Sequence, residues 1–399
     1  MTGSKPLRVL VTDADNRSAL AVTRSLGRRG DFVVVAGERH PGLASASRYC
    51  SARASYPNPF RDPAGFVDAV CAAAREHAVD VVMPMTEVTT LLLTEHQQRL
   101  PEHARLPFAA AQVVSRASDK SHVLELAQQL GVPTPRTVIV QSASDASQVS
   151  IADYPVVVKP ARSRVLTASG WISSGVAYAN DAEELRAQLA ALRPELYPVL
   201  LQERIHGPGV GVFTCYAEGQ PVAWFAHKRI REKPPSGGVS VLRESAPLEP
   251  RAAQHAAKLL TGLGWRGVAM VEFKRDNRDG SLRLMEINGR FWGSLQLAID
   301  AGVDFPALLA DIAVGRPVPQ LQDYRVGVRT RWLWGDVDAL LAVMLKSRRK
   351  LNLPPDHPGR WRTLWDFCHF WGRDLHYEIL QRDDLRPWLL ETRRWLTNR

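Results

Sequence analysis

Three side chains in the stretch LRLMEINGRFWGS (Leu282 to Ser294) could do chemistry together: Glu286, Asn288 and Arg290. On a strand they share one face at ~7 Å intervals, while Met285 and Ile287 face the opposite side. A carboxylate, an amide oxygen and a guanidinium in line make a hard-oxygen site for Mg²⁺ beside a clamp for a phosphate or carboxylate. The preceding stretch GVAMVEFKRD (Gly267 to Asp276) alternates too, and Asn277 to Gly280 supply turn residues between the two runs. A hairpin folded about Asp279 sets Glu272 across from Glu286. Like charges opposed in a sheet destabilise it unless something neutralises them, and a divalent cation would do so. A slip of one residue would send Glu272 to the other face. The same pattern also suits an exposed amphipathic hairpin with ordinary surface charges.

Further candidates lie upstream. In YPVVVKPARSRVLTASGWISSGVAYA (Tyr154 to Ala179) an apolar strand ends on Lys159, and Pro160 stops the pairing. The loop expected to follow carries Arg162, Ser163, Arg164, Ser169, Gly170, Ser173, Ser174 and Gly175, small and basic residues suited to phosphates. Lys120 falls in the first turn of a helix capped by Ser118 or Asp119, against the helix dipole, a placement that an anionic ligand would offset. In FAHKRIREKPPSGGVSVLRES (Phe225 to Ser245), strand alternation would put His227, Arg229 and Arg231 on one face, either as an anion site or as a charged edge strand.

The elements that must position these groups follow from the apolar pattern. Residues 7–12, Phe32–Glu38 and Asp80–Glu87 read as strands, alternating with helices after Ser18 and around Phe66–Glu76. That is a parallel α/β unit of Rossmann-like type. Its first turn reads DADNRSA without the glycines of dinucleotide binding, which argues against an NAD site. Asp15, Asn16 and Ser18 are expected as helix caps, and Thr86 and Glu87 stand at a strand end where a helix N-terminus could hold an anion.

The composition is that of a globular protein with chain enough for two or three cores: 399 residues, 45% hydrophobic and 23% charged. The net charge of +10 suits anionic partners, but the 51 basic residues are spread along the chain and do not favour nucleic acid. Cys50, Cys71, Cys215 and Cys368 form no CxxC pair, against a zinc site or disulfide framework, and are expected as small buried hydrophobes. No apolar leader and no run of about 18 apolar residues appears, so a cytoplasmic, non-spanning protein is expected. From about Arg325 the character changes: Trp332, Trp334, Trp361, Trp365, Trp371, Trp388 and Trp395 are seven of the 11 tryptophans, interleaved with arginines. Ala339–Leu353 and Trp365–Leu380 read as helices, their tryptophans packing on the body with arginines at the edge; a peripheral membrane contact stays open as the alternative. Homo-oligomerisation is open as well.

Taken in order, Lys120, Lys159, QERIHG (Gln202 to Gly207), the Glu272 hairpin and MEINGRF (Met285 to Phe291) resemble the ATP-grasp superfamily, closest to its carbamoyl-phosphate-synthase-like and biotin-carboxylase-like ligases. The resemblance spans roughly residues 118–318. It implies an α/β plus α+β chain in three parts: a Rossmann-like pre-ATP-grasp domain (1–117), a two-lobed ATP-grasp domain (118–324) and a mostly helical Trp/Arg-rich extension (325–399). Carried over by position, Lys120 and Lys159 contact the ATP phosphates, and Gln202, Glu203, Arg204 and Ile205 form the hinge, with backbone at Glu203 and Ile205 meeting the adenine edge. Glu272, Glu286 and Asn288 hold Mg²⁺, as one or two ions, with Mn²⁺ able to replace it. Arg290 stabilises the transferred phosphoryl group, with Arg229 and His227 adding positive charge for a substrate. The implied activity joins a small-molecule carboxylate to an amine through an acyl phosphate, releasing ADP. A non-catalytic nucleotide-binding or scaffold module and a kinase on the same scaffold are the alternatives.

Overall fold

The computed structural model describes residues 5–397 apart from 147, 148, 150, 152, 168, 169, 236, 349, 352 and 354–356. Ser169, one of the expected phosphate-loop residues, lies outside the described residues.

Strands β1 (Arg8–Val11), β2 (Phe32–Gly37), β3 (Ala52–Ser55) and β4 (Val81–Met83) form a parallel sheet in the order β3-β2-β1-β4. The central runs are almost wholly Val, Leu and Phe because helices cover both faces. Asn16 caps the Arg17–Arg28 helix, accepting from Ser18 N. Asp15 does not cap that helix: it accepts from Leu43 N at 3.2 Å and pairs with Arg394 at 2.7 Å.

Four antiparallel strands make a second sheet, β5 (Thr137–Val140), β6 (Val156–Pro160), β9 (Ala177–Ala179) and β10 (Val199–Glu203), ordered β5-β10-β6-β9. The stretch after Lys159, expected as a loop, instead forms a separate hairpin of β7 (Arg164–Thr167) and β8 (Gly170–Ser173). Its apolar cross-strand pairs, Val165 with Ile172 and Leu166 with Trp171, give that hairpin the side-chain contacts a loop would lack.

The largest sheet contains β11 (Gly209–Ala217), β12 (Gln220–Lys233), β13 (Val239–Ser245), β14 (Gly267–Arg275), β15 (Leu282–Asn288), β16 (Arg329–Arg331) and β17 (Leu375–Tyr377), in the order β15-β14-β11-β12-β13-β16-β17. Alternation divides it between two cores. Val212, Val271, Phe273 and Ile287 pack with Ala256 and Leu259 of the Pro250–Gly262 helix. Phe213, Phe225, Met270 and Trp292 belong to the core shared with the N-terminal domain.

The tail departs from its expected helices. The first spans Leu333–Leu345, the second Arg360–Phe367, and residues 375–377 pair in parallel with β16 instead of continuing a helix. An open sheet edge offers backbone partners that outweigh the local helical pattern. The tail strands thus extend the central sheet beyond residue 324, and the Arg386–Thr397 helix follows. Arg24 and Asp384 form a fully buried ion pair at 2.9 Å, and Arg24 also donates to the carbonyls of Glu378 and Ile379. Trp334 stacks on Trp395 at 4.0 Å, and Trp332 Nε1 donates to Glu391 at 2.7 Å. The expected packing fails for Trp361, Trp365 and Trp371, which are 78%, 67% and 87% exposed. Cys368 is exposed as well, whereas Cys71 and Cys215 are buried. No helix of the described residues is long and apolar enough to cross a membrane.

Candidate active site

Strands β14 and β15 pair in the register that sets Glu272 directly against Glu286 and Met270 against Asn288. Across β11 the same row continues through Gly211 to His227. Glu286 Oε1 accepts from Asn288 Nδ2 at 2.8 Å, and Asn288 Oδ1 accepts from Arg290 Nη2 at 3.3 Å. Between them, Gly289 lies so close to Trp265 that any β-carbon would collide with the indole. Glu272 accepts from Arg229 Nη2 at 2.8 Å, and Arg229 Nη1 reaches Glu232 at 3.1 Å. Burial raises the Glu272 carboxyl above its ordinary range; Arg229 opposes that shift and the charge of Glu286 adds to it. Two opposed carboxylates with only one guanidinium between them, and an amide beside them, fit a hard divalent cation in charge and in donor type.

From the other side come the two lysines. Lys120 opens the helix ending at Gln129, where Asp119 caps by accepting from Ser121 N at 3.0 Å. Its backbone N–H donates to Ala161 O and its Nζ to Ser163 Oγ, both at 2.8 Å, which ties it to the chain just after β6. Lys159 is 7% exposed. Burial, reinforced by the charge of Lys120 and opposed by that of Glu286, lowers its ammonium to about 8. Lys120, Ser163, Glu286, Asn288 and Arg290 line one gap of about 40 Å³, space for little more than water.

The sequence pattern barely flagged the gap's remaining charged residue. Glu87 follows the Thr86 cap and lines the gap from the N-terminal domain. Burial raises its carboxyl, with Arg290, Lys120 and Arg164 opposing and Glu286 adding. Only the strand-end position of Thr86-Glu87 hinted at it, and toward an anion, whereas a carboxylate there attracts cations.

The hinge residues are already engaged. Gln202 is buried and its Nε2 donates to Thr137 Oγ1 at 2.9 Å. Glu203 N donates to Arg136 O at 2.9 Å. Burial would raise the Glu203 carboxyl, but hydrogen bonds from Arg136 and Arg278 hold it below its usual range. Arg204 lies over the Tyr178 ring at 5.0 Å, and Ile205 O accepts from Lys274 Nζ at 2.8 Å.

Two expectations for β12 need correction. His227 offers no positive charge: it is 8% exposed, stacked on Phe213 at 4.7 Å and bonded to Ser294 Oγ at 2.8 Å. Burial, with the charges of Arg243 and Arg229, pushes its imidazole down to about 3, so the ring is neutral. Arg231 does not share the face of Arg229, because the β12–β13 register shifts on both sides of it. It forks onto Asp336 instead, Nε to Oδ1 at 2.7 Å and Nη2 to Oδ2 at 2.5 Å.

A protein-family model described as ATP-grasp in the biosynthetic pathway with Ter operon matches residues 195–335. The D-alanine--D-alanine ligase of Stutzerimonas stutzeri is 28% identical over 238 residues, 54% of this chain and 71% of the relative. That of Pseudomonas putida is 33% identical over 114 residues, 28% of this chain and 34% of the relative, so this second match spans about a third of the ligase. The L-amino acid ligase from Bacillus licheniformis superposes with a TM-score of 0.59 at 19% identity, over 79% of this chain and 76% of that one. Biotin carboxylase from Campylobacter jejuni gives 0.62 at 16% identity, over 81% and 74%. At these identities the likeness to the solved structures establishes the fold.

Proposed function

This chain carries an ATP-grasp domain, and on that premise we propose that it is an ADP-forming ligase joining a carboxylate to an amine. The observation that carries the reading is the opposition of Glu272 and Glu286 beside Arg290 and the two lysines. In this reading residues 1–117, 118–324 and 325–399 are the three parts of the molecule. Lys120 and Lys159 hold the ATP phosphates, and Gln202, Glu203, Arg204 and Ile205 border the adenine. A nucleotide needs more room than the gap of about 40 Å³ between Lys120 and Arg290 provides.

Glu272, Glu286 and Asn288 would hold Mg²⁺, which supplies charge neutralisation at the phosphates. A substrate carboxylate oxygen attacks the γ-phosphorus, and the bond to ADP breaks. The amine then attacks the acyl carbon, phosphate leaves and the nitrogen gives up a proton. Two anions approach in line only if their repulsion is offset, which is the role of Arg290 at the phosphoryl group and of Arg229 at the substrate carboxylate. The rate depends on positioning and charge, in keeping with a site that contains no activated nucleophile among the described residues.

Incubation with ATP, Mg²⁺, hydroxylamine and a panel of carboxylates should yield a hydroxamate with ADP and phosphate. AMP and pyrophosphate would instead indicate adenylate chemistry, and ADP with a stable phosphorylated product a kinase.

A further inference from the structure

A cleft larger than the gap beside Lys120 lies elsewhere in the fold. It encloses about 670 Å³ between the far end of β12, β13, β16 and the tail helices Leu333–Leu345 and Arg360–Phe367. That volume falls in the range of small-molecule sites. Its wall carries an unbalanced charge cluster. Asp336, 1% exposed, receives Arg231 at 2.5 Å and Arg331 at 2.6 Å, two guanidiniums on one carboxylate. The other contacts of Arg331 are neutral: the carbonyl of Phe367 at 3.0 Å and that ring at 4.2 Å. Five arginines in all line the cleft against four carboxylates, Glu232, Asp336, Asp366 and Asp374, an excess of one positive charge that favours an anion. The rest of the lining is mixed: Glu232, Arg329, Asp366, Arg373 and Asp374 are charged, while Leu340, Phe367 and the 87% exposed Trp371 supply an apolar side. Arg229 also lines the cleft, and its guanidinium holds Glu272 of the carboxylate row.

We propose that this cleft holds the acyl substrate, an aromatic carboxylic acid, its ring against Trp371, Leu340 and Phe367 and its carboxylate between Arg231 and Arg229. The inference rests on the ligase reading and names its substrate class. The tail is thereby a specificity wall, which explains why an indole stands uncovered beside a cleft.

The test uses the full chain with benzoate, 3-phenylpropanoate and 2-naphthoate as probes, propanoate as control, and calorimetry as the readout. At least one aromatic acid should bind well above propanoate and support hydroxamate formation with ATP. Trp371→Ala should weaken that acid about tenfold, the scale of one aromatic contact with its burial. Leu340→Trp, which puts a bulky ring where the acid's ring would lie, should weaken its binding, while both variants keep the Mg²⁺–ATP affinity and melting temperature of the parent. Mg²⁺–ATP binding without affinity for any aromatic acid overturns the inference and leaves the ligase reading standing. So does equal binding of the acid by parent and both variants. An acid that binds in the cleft without yielding hydroxamate overturns its role as acyl substrate. Failure of the parent to bind Mg²⁺–ATP sinks the ligase reading itself.

Discussion

Glu272 and Glu286 face each other across β14 and β15, and Arg229 bridges to Glu272 at 2.8 Å. In the absence of a cation that guanidinium is the nearest compensation Glu272 has. Glu286→Ala should remove one hard ligand and cost roughly 10- to 100-fold in the Mg²⁺ dependence of ATP binding. Calorimetry with and without Mg²⁺ checks this, and equal Mg²⁺–ATP affinity in variant and parent would rule out the metal assignment.

Lys159 gives a pH dependence whose sign follows from its burial. Its ammonium titrates near 8 in the folded protein, against 10.5 ordinarily. Between these values the unfolded chain holds the proton and the folded one does not, so stability rises with pH across that window. Below about 8 the buried charge costs the protein on the order of 3 kcal/mol at most. Phosphates would restore a counter-charge, so ATP affinity should fall as pH passes 8, and Lys159→Met should flatten that profile. A profile unchanged in the variant assigns the lysine to the end of a strand and nothing more.

His227 has the same sign in a lower pH window. Its imidazole lies near 3 when folded against an ordinary 6.5, so stability is full above 6.5 and declines as pH falls toward 3. Its ring resonances should stay constant from pH 8 to 5, and His227→Gln should relieve part of the loss on acidification. A ring that titrates near 6.5 would restore the histidine as a source of positive charge.

Asp384 has a structural part to play. It holds Arg24 at 2.9 Å, accepts from Ser47 Oγ at 2.6 Å and from Arg48 N at 3.0 Å. Asp384→Ala leaves a buried guanidinium uncompensated and should destabilise by about 3–5 kcal/mol. Denaturant unfolding measures it; a change below 1 kcal/mol would mean that water or another group already serves Arg24.

The pairing of Glu272 with Glu286 was legible because Glu272, Glu286 and Asn288 alternate with apolar residues around a clear turn, but the slip between Glu272 and Phe273, which leaves Met285 unpaired and out of the core it was expected to join, was not. The β12 stretch was not, since the register shifts flanking Arg231 carry no signature in composition. Those shifts separate Arg231 from Arg229. Nor could local pattern announce that residues 375–377 would leave a helical run to pair with β16, because that choice depends on an edge formed elsewhere. Glu87 escaped for the same reason: its neighbours Lys120, Arg290 and Glu286 come from other parts of the chain.

The Arg24–Asp384 pair also imposes an order on biosynthesis. The two residues are 360 apart in sequence, so at 5–20 residues per second a ribosome needs roughly 20 to 70 s to deliver the second after the first. Throughout that interval Arg24 of the first helix lacks the carboxylate of Asp384, and once β13 has emerged its outer edge has no neighbour until residues 329–331 follow. The nascent chain therefore carries an unpaired strand edge and an arginine without its carboxylate, a combination that invites pairing between neighbouring chains on one message. A premature stop before Asp384 would leave Arg24 permanently without its carboxylate partner.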